Sequence, residues 1–360
     1  MIRVDILAGP RVQFMLLALV LLPSLGLALN YDALNPHSIG EDALLYKPAT
    51  SFNLQVDTLL IDAEVKTFPI DSITFDRAAS TLTRFWGSVP VSPKMGVRYS
   101  LMTRGVLRKQ EGQLEPRKIA EEQWTEGMAG TELIYYTQTR LEIFIGVNYL
   151  AIPGFERTSK SATVETRWKF GAATVMAPHI GVVKRAGFVN GGFFFRQGAE
   201  SSRDVVKSSA QDLATLSFKE SVHVPTTVAM FAKIPVAKGF VLAEFAAVQG
   251  SEGGNKTDDG DTVTEDYTRA KGVLLMPFGI AGIKATLIHR TLSYADNRTV
   301  SVDTIPMSAL HLKGYLGNQQ NNGFAGIVYG YGKDGQSLTE FNASYKVQAY
   351  GLTAGFSLAF

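Results

Sequence analysis

Hydrophobic and polar residues alternate along much of this chain with a period of two. In residues 141–151, Leu141, Ile143, Ile145, Val147 and Tyr149 share one side, and Glu142, Phe144, Gly146 and Asn148 the other. In residues 162–170, Ala162, Val164, Thr166, Trp168 and Phe170 oppose Thr163, Glu165, Arg167 and Lys169. Residues 267–278 set Ala270, Leu274, Met276 and Phe278 against Arg269 and Lys271, and residues 281–291 set Ile283, Ala285 and Leu287 against Lys284, Thr286 and Arg290. The chain closes on the same pattern, with Tyr350, Leu352, Ala354, Phe356, Leu358 and Phe360 on one face. Alternation over roughly ten residues is the signature and the length of a strand that crosses a bilayer. A secreted soluble sandwich also alternates, so the period alone does not choose between the two.

The connections add a second signal. Short ones at Thr137–Arg140, Lys169–Ala172, Pro235–Lys238 and Pro277–Ile280 lie between longer polar ones. The longer ones are Pro153–Lys160, a stretch within Arg185–Ser221, Gly250–Asp266 and Ser293–Val300. Tight turns on one side and long loops on the other are what outer-membrane barrels build. The reading is therefore all-β, a transmembrane antiparallel up-and-down barrel of roughly 12 to 16 strands, with 14 preferred, over residues 53–360. Counting crossings from residue 280 leaves Phe360 on the wrong side. Either 300–316 holds a hairpin or 337–347 and 348–360 must be divided differently.

Two stretches fall outside the alternation. Residues 29–52, with turn residues and no sustained period, read as a periplasmic arm, or as a plug reaching into the pore. Residues 108–130, LRKQEGQLEPRKIAEEQWTEGMAG from Leu107 on, read as a charged, solvated loop with a short helix from Pro116 to Trp124, or as a constriction folded into the bore.

The first 28 residues supply a route to a membrane. An apolar run from Phe14 to Leu22 follows Arg3 and Arg11, and Pro23, Gly26 and Ala28 lead to a small-residue cleavage site. That outline is a secretory signal peptide, since the run is too short for a transmembrane helix. The 360 residues contain no cysteine, so the exported chain must hold together without disulfides. Lys+Arg number 35 and Asp+Glu 33; removing Arg3, Arg11 and Asp5 with the signal leaves 35 − 2 = 33 against 33 − 1 = 32. A balance this even points away from nucleic acid. Mean hydropathy is +0.06, yet no second long apolar run follows the signal, so a membrane would be crossed by strands.

Enzyme and metal chemistry find little support. His37, His179, His223, His289 and His311 are scattered without ligand spacing. His223 beside Ser221, and His289 near Ser293, sit in no recognisable hydrolase motif. The acidic stretch Asn255–Asp266 departs from the EF-hand spacing and reads as a solvated external loop. No cofactor is implied.

With this pattern in place, the chain resembles Gram-negative outer-membrane β-barrel proteins, porin-like ones among them. Its final strand, with Tyr350, Leu352, Phe356, Leu358 and the terminal Phe360, resembles the assembly signal that their insertion machinery reads. Residues 131–153, TELIYYTQTRLEIFIGVNYLAIP, resemble the strand–turn–strand unit of a transport-barrel family associated with aromatic-compound degradation. Thr139, Arg140 and Leu141 match that family's Gly-Leu-Thr-Asp-Arg-Leu turn, while Gln138 stands at its aspartate. The resemblance implies partners in outer-membrane lipid, the insertion machinery and small solutes. The expected function is a channel for diffusion of small solutes. A transporter of hydrophobic or aromatic compounds, an outer-membrane hydrolase and a structural barrel are the alternatives. If apolar faces point outward, the pore-lining candidates are Glu142, Glu165, Arg167, Lys169, Lys233, Glu244, Arg269, Lys271, Lys284 and Arg290. Their excess of positive charge predicts a mild anion preference.

Overall fold

A computed structural model describes residues 50–67, 72–112, 119–137, 140–160, 165–186, 188–209, 215–249, 253–254, 263–296, 302–318, 321–333 and 343–360. The expected signal peptide, the periplasmic arm up to residue 49 and most of the acidic stretch 255–266 lie outside these residues. The described residues form a closed antiparallel barrel of 14 crossings and contain no helix. In chain order the crossings are β1 Ser51–Thr67, β2 Ser72–Ser92, β3 Met95–Gly112 and β4 Ile119–Tyr136. Next come β5 (Leu141–Ile152 and Phe155–Lys160), β6 (Glu165–Phe170 and Ala173–Ala186) and β7 (Val189–Arg196 and Ala199–Ser209). β8 comprises Leu216–Val224 and Thr226–Val236, and β9 Gly239–Gln249 and Gly253–Gly254. The set ends with β10 Val263–Phe278, β11 Ala281–Asp296, β12 Val302–Gly317, β13 Asn322–Lys333 and β14 Ala343–Ala359.

Each crossing pairs with its chain neighbours, and β14 closes on β1 from Ser51↔Ala359 to Thr67↔Ala343. The Phe360 N–H donates to the Thr50 carbonyl at 2.9 Å, carrying the ladder one residue past the strand end. Both ends of the barrel strand order, Ser51 and Ala359, therefore lie on the tight-turn side. Ala343–Ala359 is one strand and Val302–Gly317 another, so the misplaced Phe360 came from dividing the last strand in two. Tight turns fall at Thr137–Arg140, Pro235–Lys238 and Pro277–Ile280 as expected, with Arg140, Ala237 and Gly279 at positive φ.

Two other expected connections are not connections. Lys169–Ala172 and Pro153–Lys160 both lie inside single crossings, at a crease that runs across four neighbouring strands. It interrupts β5 at Pro153–Gly154, β6 at Gly171–Ala172, β7 at Gln197–Gly198 and β8 at Pro225. Proline cannot donate to a ladder and glycine weakens one, which is why the breaks fall there. Register is the same on both sides: Ile152↔Ala173 and Phe155↔Phe170 belong to one pairing frame, as do His179↔Arg196 and Val205↔Phe170.

At the crease each strand turns over. Below it, on the tight-turn side, Leu150 and Ile152 of β5, Ala173 and Val175 of β6, Phe194 of β7 and Thr227 and Ala229 of β8 are buried inside. Above it the parity inverts, and Trp168, Arg203, Val205, Glu220 and Val222 are the buried residues. The outer face changes chemistry at the same level. Below the crease it shows Ile145, Tyr149, Met176, Ile180, Phe193, Phe195, Val228 and Met230. Above it the exposed residues are Glu156, Arg167, Lys169, Ser202, Asp204, Ser217 and Lys219. An apolar belt suits hydrocarbon and a polar collar suits water. The lower segments of β5 and β8 have 12 and 11 residues, close to the roughly ten a tilted strand needs to cross.

The crease corrects the expected orientation of residues 162–170. Trp168 is 4% exposed and faces inward, while Glu165, Arg167 and Lys169 lie on the outer face. The reason is that this segment stands above the hydrocarbon, where the apolar face has no lipid to meet and turns to the interior. Residues 161–164, with Val164, lie outside the described residues. The expected loop or helix in 108–130 is also corrected: 108–112 end β3 and 119–130 begin β4. Strands of 18 residues outrun the bilayer, so charge near their ends is compatible with a strand.

The boundary predicts that Ile145→Arg, in the middle of the lower part of β5, lowers unfolding free energy by about 2–4 kcal/mol, because a charge there meets lipid. Lys169→Ala, above the crease, changes it by less than about 1 kcal/mol. Urea titration of protein refolded into vesicles measures both, and equal losses would place the boundary elsewhere.

Candidate functional site

The interior is the candidate site, and its residues come from the inward parity of each strand. On the tight-turn side they form an apolar cluster that includes Ile134, Phe144, Val183, Phe194, Phe231, Phe240, Leu242 and Val273. Phe144 and Phe194 stack with ring centroids 6.3 Å apart. Glycines make the room: a Cβ on Gly181 would lie 2.0 Å from Phe144, and one on Gly192 would lie 2.5 Å from Phe231. The rings thus lie flat over the neighbouring strand instead of filling the bore end-on. A second apolar cluster, with Leu59, Ile61, Leu82, Ile288 and Val328, covers the opposite wall.

Between these surfaces lies a network of charges. Arg98 donates through Nε to Glu132 Oε2 at 2.6 Å, and the other Glu132 oxygen lies 3.0 Å from His179 Nε2. Gly146 sits opposite His179 in the ladder, and a Cβ there would come within 2.6 Å of Nε2. Arg98 also lies over the Phe144 ring at 4.6 Å, joining the network to the aromatic cluster. A cavity of about 40 Å³ adjoins Glu132, lined by Arg84, Trp86, Arg98, Ser100 and Asn148. At the crease Arg203 pairs with Glu220 at 2.5 Å and lies over both Phe155 and Phe170.

The candidates read from sequence divide between the two faces. Glu142 faces inward and bonds Arg185, with Nη2 to Oε2 at 3.2 Å. Glu244, Arg269, Lys271 and Arg290 are buried inside on β9 to β11, where Arg269 Nη2 donates to Glu244 Oε1 at 3.2 Å. Lys271 is the ladder partner of Glu244, and Arg290 that of Arg269. Lys233 lies over the Phe240 ring at 4.4 Å, and Lys284 shares the inward parity of Thr286 and Ile288. Glu165, Arg167 and Lys169 are on the outside, where Arg167 Nε bonds Glu165 Oε1 at 2.7 Å.

Arg84, Arg98, Glu132, His179 and Arg185 were not among the candidates. The signal for Glu132 was a single acid between Leu133, outside, and the small Gly130, inside; that for His179 was its parity with Ala177 and Val183. The two histidines weighed for an enzyme have other partners. His223 Nδ1 lies 3.3 Å from Glu200, and His289 Nδ1 bonds Ser308 Oγ at 3.0 Å on the outer wall. Among the described residues no group of acidic residues, histidines and cysteines could hold a metal ion.

No family model and no curated protein matches the chain. Solved structures do. The Pseudomonas putida toluene transporter TodX aligns with a TM-score of 0.58 at 8% identity, covering 93% of this chain and 95% of its own. A Pseudomonas aeruginosa FadL homologue aligns at 0.58 and 8% over 86% and 90%, and the CymD monoaromatic hydrocarbon channel at 0.52 and 9% over 93% and 98%. At such identities the likeness is one of fold.

Removing Glu132 tests the network. Glu132→Ala strands the Arg98 charge and costs about 3–5 kcal/mol, whereas Arg98→Met with Glu132→Ala together costs less than the two single changes summed. Denaturant titrations in micelles give the cycle, and strict additivity would mean the pair is not coupled.

Proposed function

We propose that this protein is an outer-membrane channel for small hydrophobic solutes, aromatic compounds among them. The observation that carries the reading is the apolar, phenylalanine-rich cluster inside a membrane barrel, around Phe144, Phe194, Phe231 and Phe240. An ion-conducting porin needs a bore lined with free charge and water. Here Glu142, Glu244, Glu132 and Glu220 each hold an arginine. Two of the cations behind the expected anion preference, Arg167 and Lys169, lie on the outer wall. The fold shared with a toluene transporter and a monoaromatic hydrocarbon channel supports the same choice. Hydrophobic solutes gain from apolar contact and lose nothing when charges are already paired, so such an interior passes them in preference to ions.

Uptake of labelled toluene by cells bearing the barrel in their outer membrane is expected to exceed that of cells lacking it by at least about tenfold. In planar bilayers the same protein is expected to carry little KCl current. Large, steady ionic conductance with no gain in toluene uptake would favour an open porin instead.

We also read the final strand as the assembly signal. It closes the barrel against β1, so a chain that fails to dock it leaves a ladder open in lipid. Deleting Phe360 is expected to reduce heat-modifiable, folded protein in the outer membrane while export across the inner membrane continues. Normal folded levels would count against that role.

A further inference from the structure

We propose that His179 is a polar recognition point on the solute path, a hydrogen-bond acceptor that favours aromatic solutes carrying a hydroxyl group. The inference rests on the hydrophobic-channel reading and narrows it to a class of solute. His179 is 4% exposed and sits on the inner wall of β6. Its Nε2 is 3.0 Å from Glu132 Oε1, and Arg98 binds the second carboxylate oxygen at 2.6 Å. A carboxylate that accepts from Arg98 takes a second donor on its other oxygen, so the neutral form of the imidazole turns its Nε2–H toward Glu132 and keeps its lone pair on Nδ1.

That lone pair has no partner: Nδ1 is buried and makes no hydrogen bond. The two cross-strand neighbours explain why. Gly146, on one side, has no side chain to offer. Arg196, on the other, is committed to the Pro225 carbonyl at 3.2 Å and to Thr227 Oγ1 at 3.0 Å. Leaving a buried acceptor empty is unfavourable, so its retention calls for a use. The surroundings suggest which. The imidazole packs beside Phe194 with centroids 5.4 Å apart, and Phe194 stacks on Phe144. An aromatic ring entering this cluster finds stacking partners, and a hydroxyl on that ring finds the one acceptor that neither strand neighbour fills. Arg98 and Glu132 act as positioning residues, holding the imidazole in one tautomer.

Uptake through the full-length barrel tests this with three solutes: 4-methylphenol, which donates a hydrogen bond, 4-methylanisole, which only accepts one, and toluene, which does neither. His179→Phe is expected to lower the uptake ratio of 4-methylphenol to toluene about tenfold, the scale of one hydrogen bond. His179→Gln, which can donate to Glu132 and still offer an oxygen, is expected to restore most of it. The ratio of 4-methylanisole to toluene is expected to stay level. An unchanged 4-methylphenol ratio in His179→Phe, or an equal fall for 4-methylanisole, would overturn the assignment. A measurement on unmutated protein removes any doubt over folding: with nitrogen-15-labelled histidine in micelles, the His179 Nδ1 resonance is expected to move with 4-methylphenol and not with toluene. No movement would also overturn it. Failure of the channel reading looks different, because then no solute enters faster than through membrane lacking the barrel.

Discussion

In hydrocarbon no water can satisfy a backbone N–H or C=O, so every strand must have a neighbour on each side. The seam between Ser51–Thr67 and Ala343–Ala359 meets that requirement for the whole molecule, since it joins the first strand to the last. Without it, the other ladders would form an open sheet with two lipid-exposed edges. The pairing runs as far as Phe360, whose N–H donates to the Thr50 carbonyl. Its inner face is small and polar at Gly351, Thr353 and Gly355, and its outer face large and apolar at Tyr350 and Leu352.

Closure does not require strands to stop where the bilayer stops. On one side of the barrel the strands run straight on, and 17 to 21 residues make each of the first four. On the other side four strands turn over together at the crease. Because paired strands turn over at the same level, hydrogen-bond register survives while the side chains change faces. The consequence is an apolar surface that follows the medium: toward lipid below the crease, toward the interior above it. There Trp168 and Phe170 meet Arg157 and Arg203 as ring faces under cations.

Inside, the same geometry separates two kinds of wall. Phenylalanines lie over glycines and form continuous apolar surface, while carboxylates and guanidinium groups are drawn into pairs. A buried charge without a counter-charge is costly, so pairing is the condition on which these groups persist in a narrow bore. In the proposed channel, that arrangement would leave shape and a few directional contacts, more than field, to discriminate among solutes.

The barrel was legible in the sequence because alternation is a local property. Leu141–Tyr149, Ala270–Phe278 and Ile283–Leu287 each announce a strand with one apolar side, whatever their neighbours do. The tight turns at Pro235–Lys238 and Pro277–Ile280 were equally local. Period alone does not say which medium lies on each side. In residues 165–170 the alternation was read correctly and its direction wrongly, because only the height of a strand relative to the bilayer decides whether Trp168 meets lipid or interior. The charged ends of β3 and β4 misled for the same reason. The network of Arg98, Glu132 and His179 depends on strands 34 and 47 residues apart in sequence meeting at one level. By itself, then, the sequence determined that the chain crosses a membrane as amphipathic strands. Register and closure, which are relations between distant strands, decided which charges pair, where the apolar interior lies and which way each face looks.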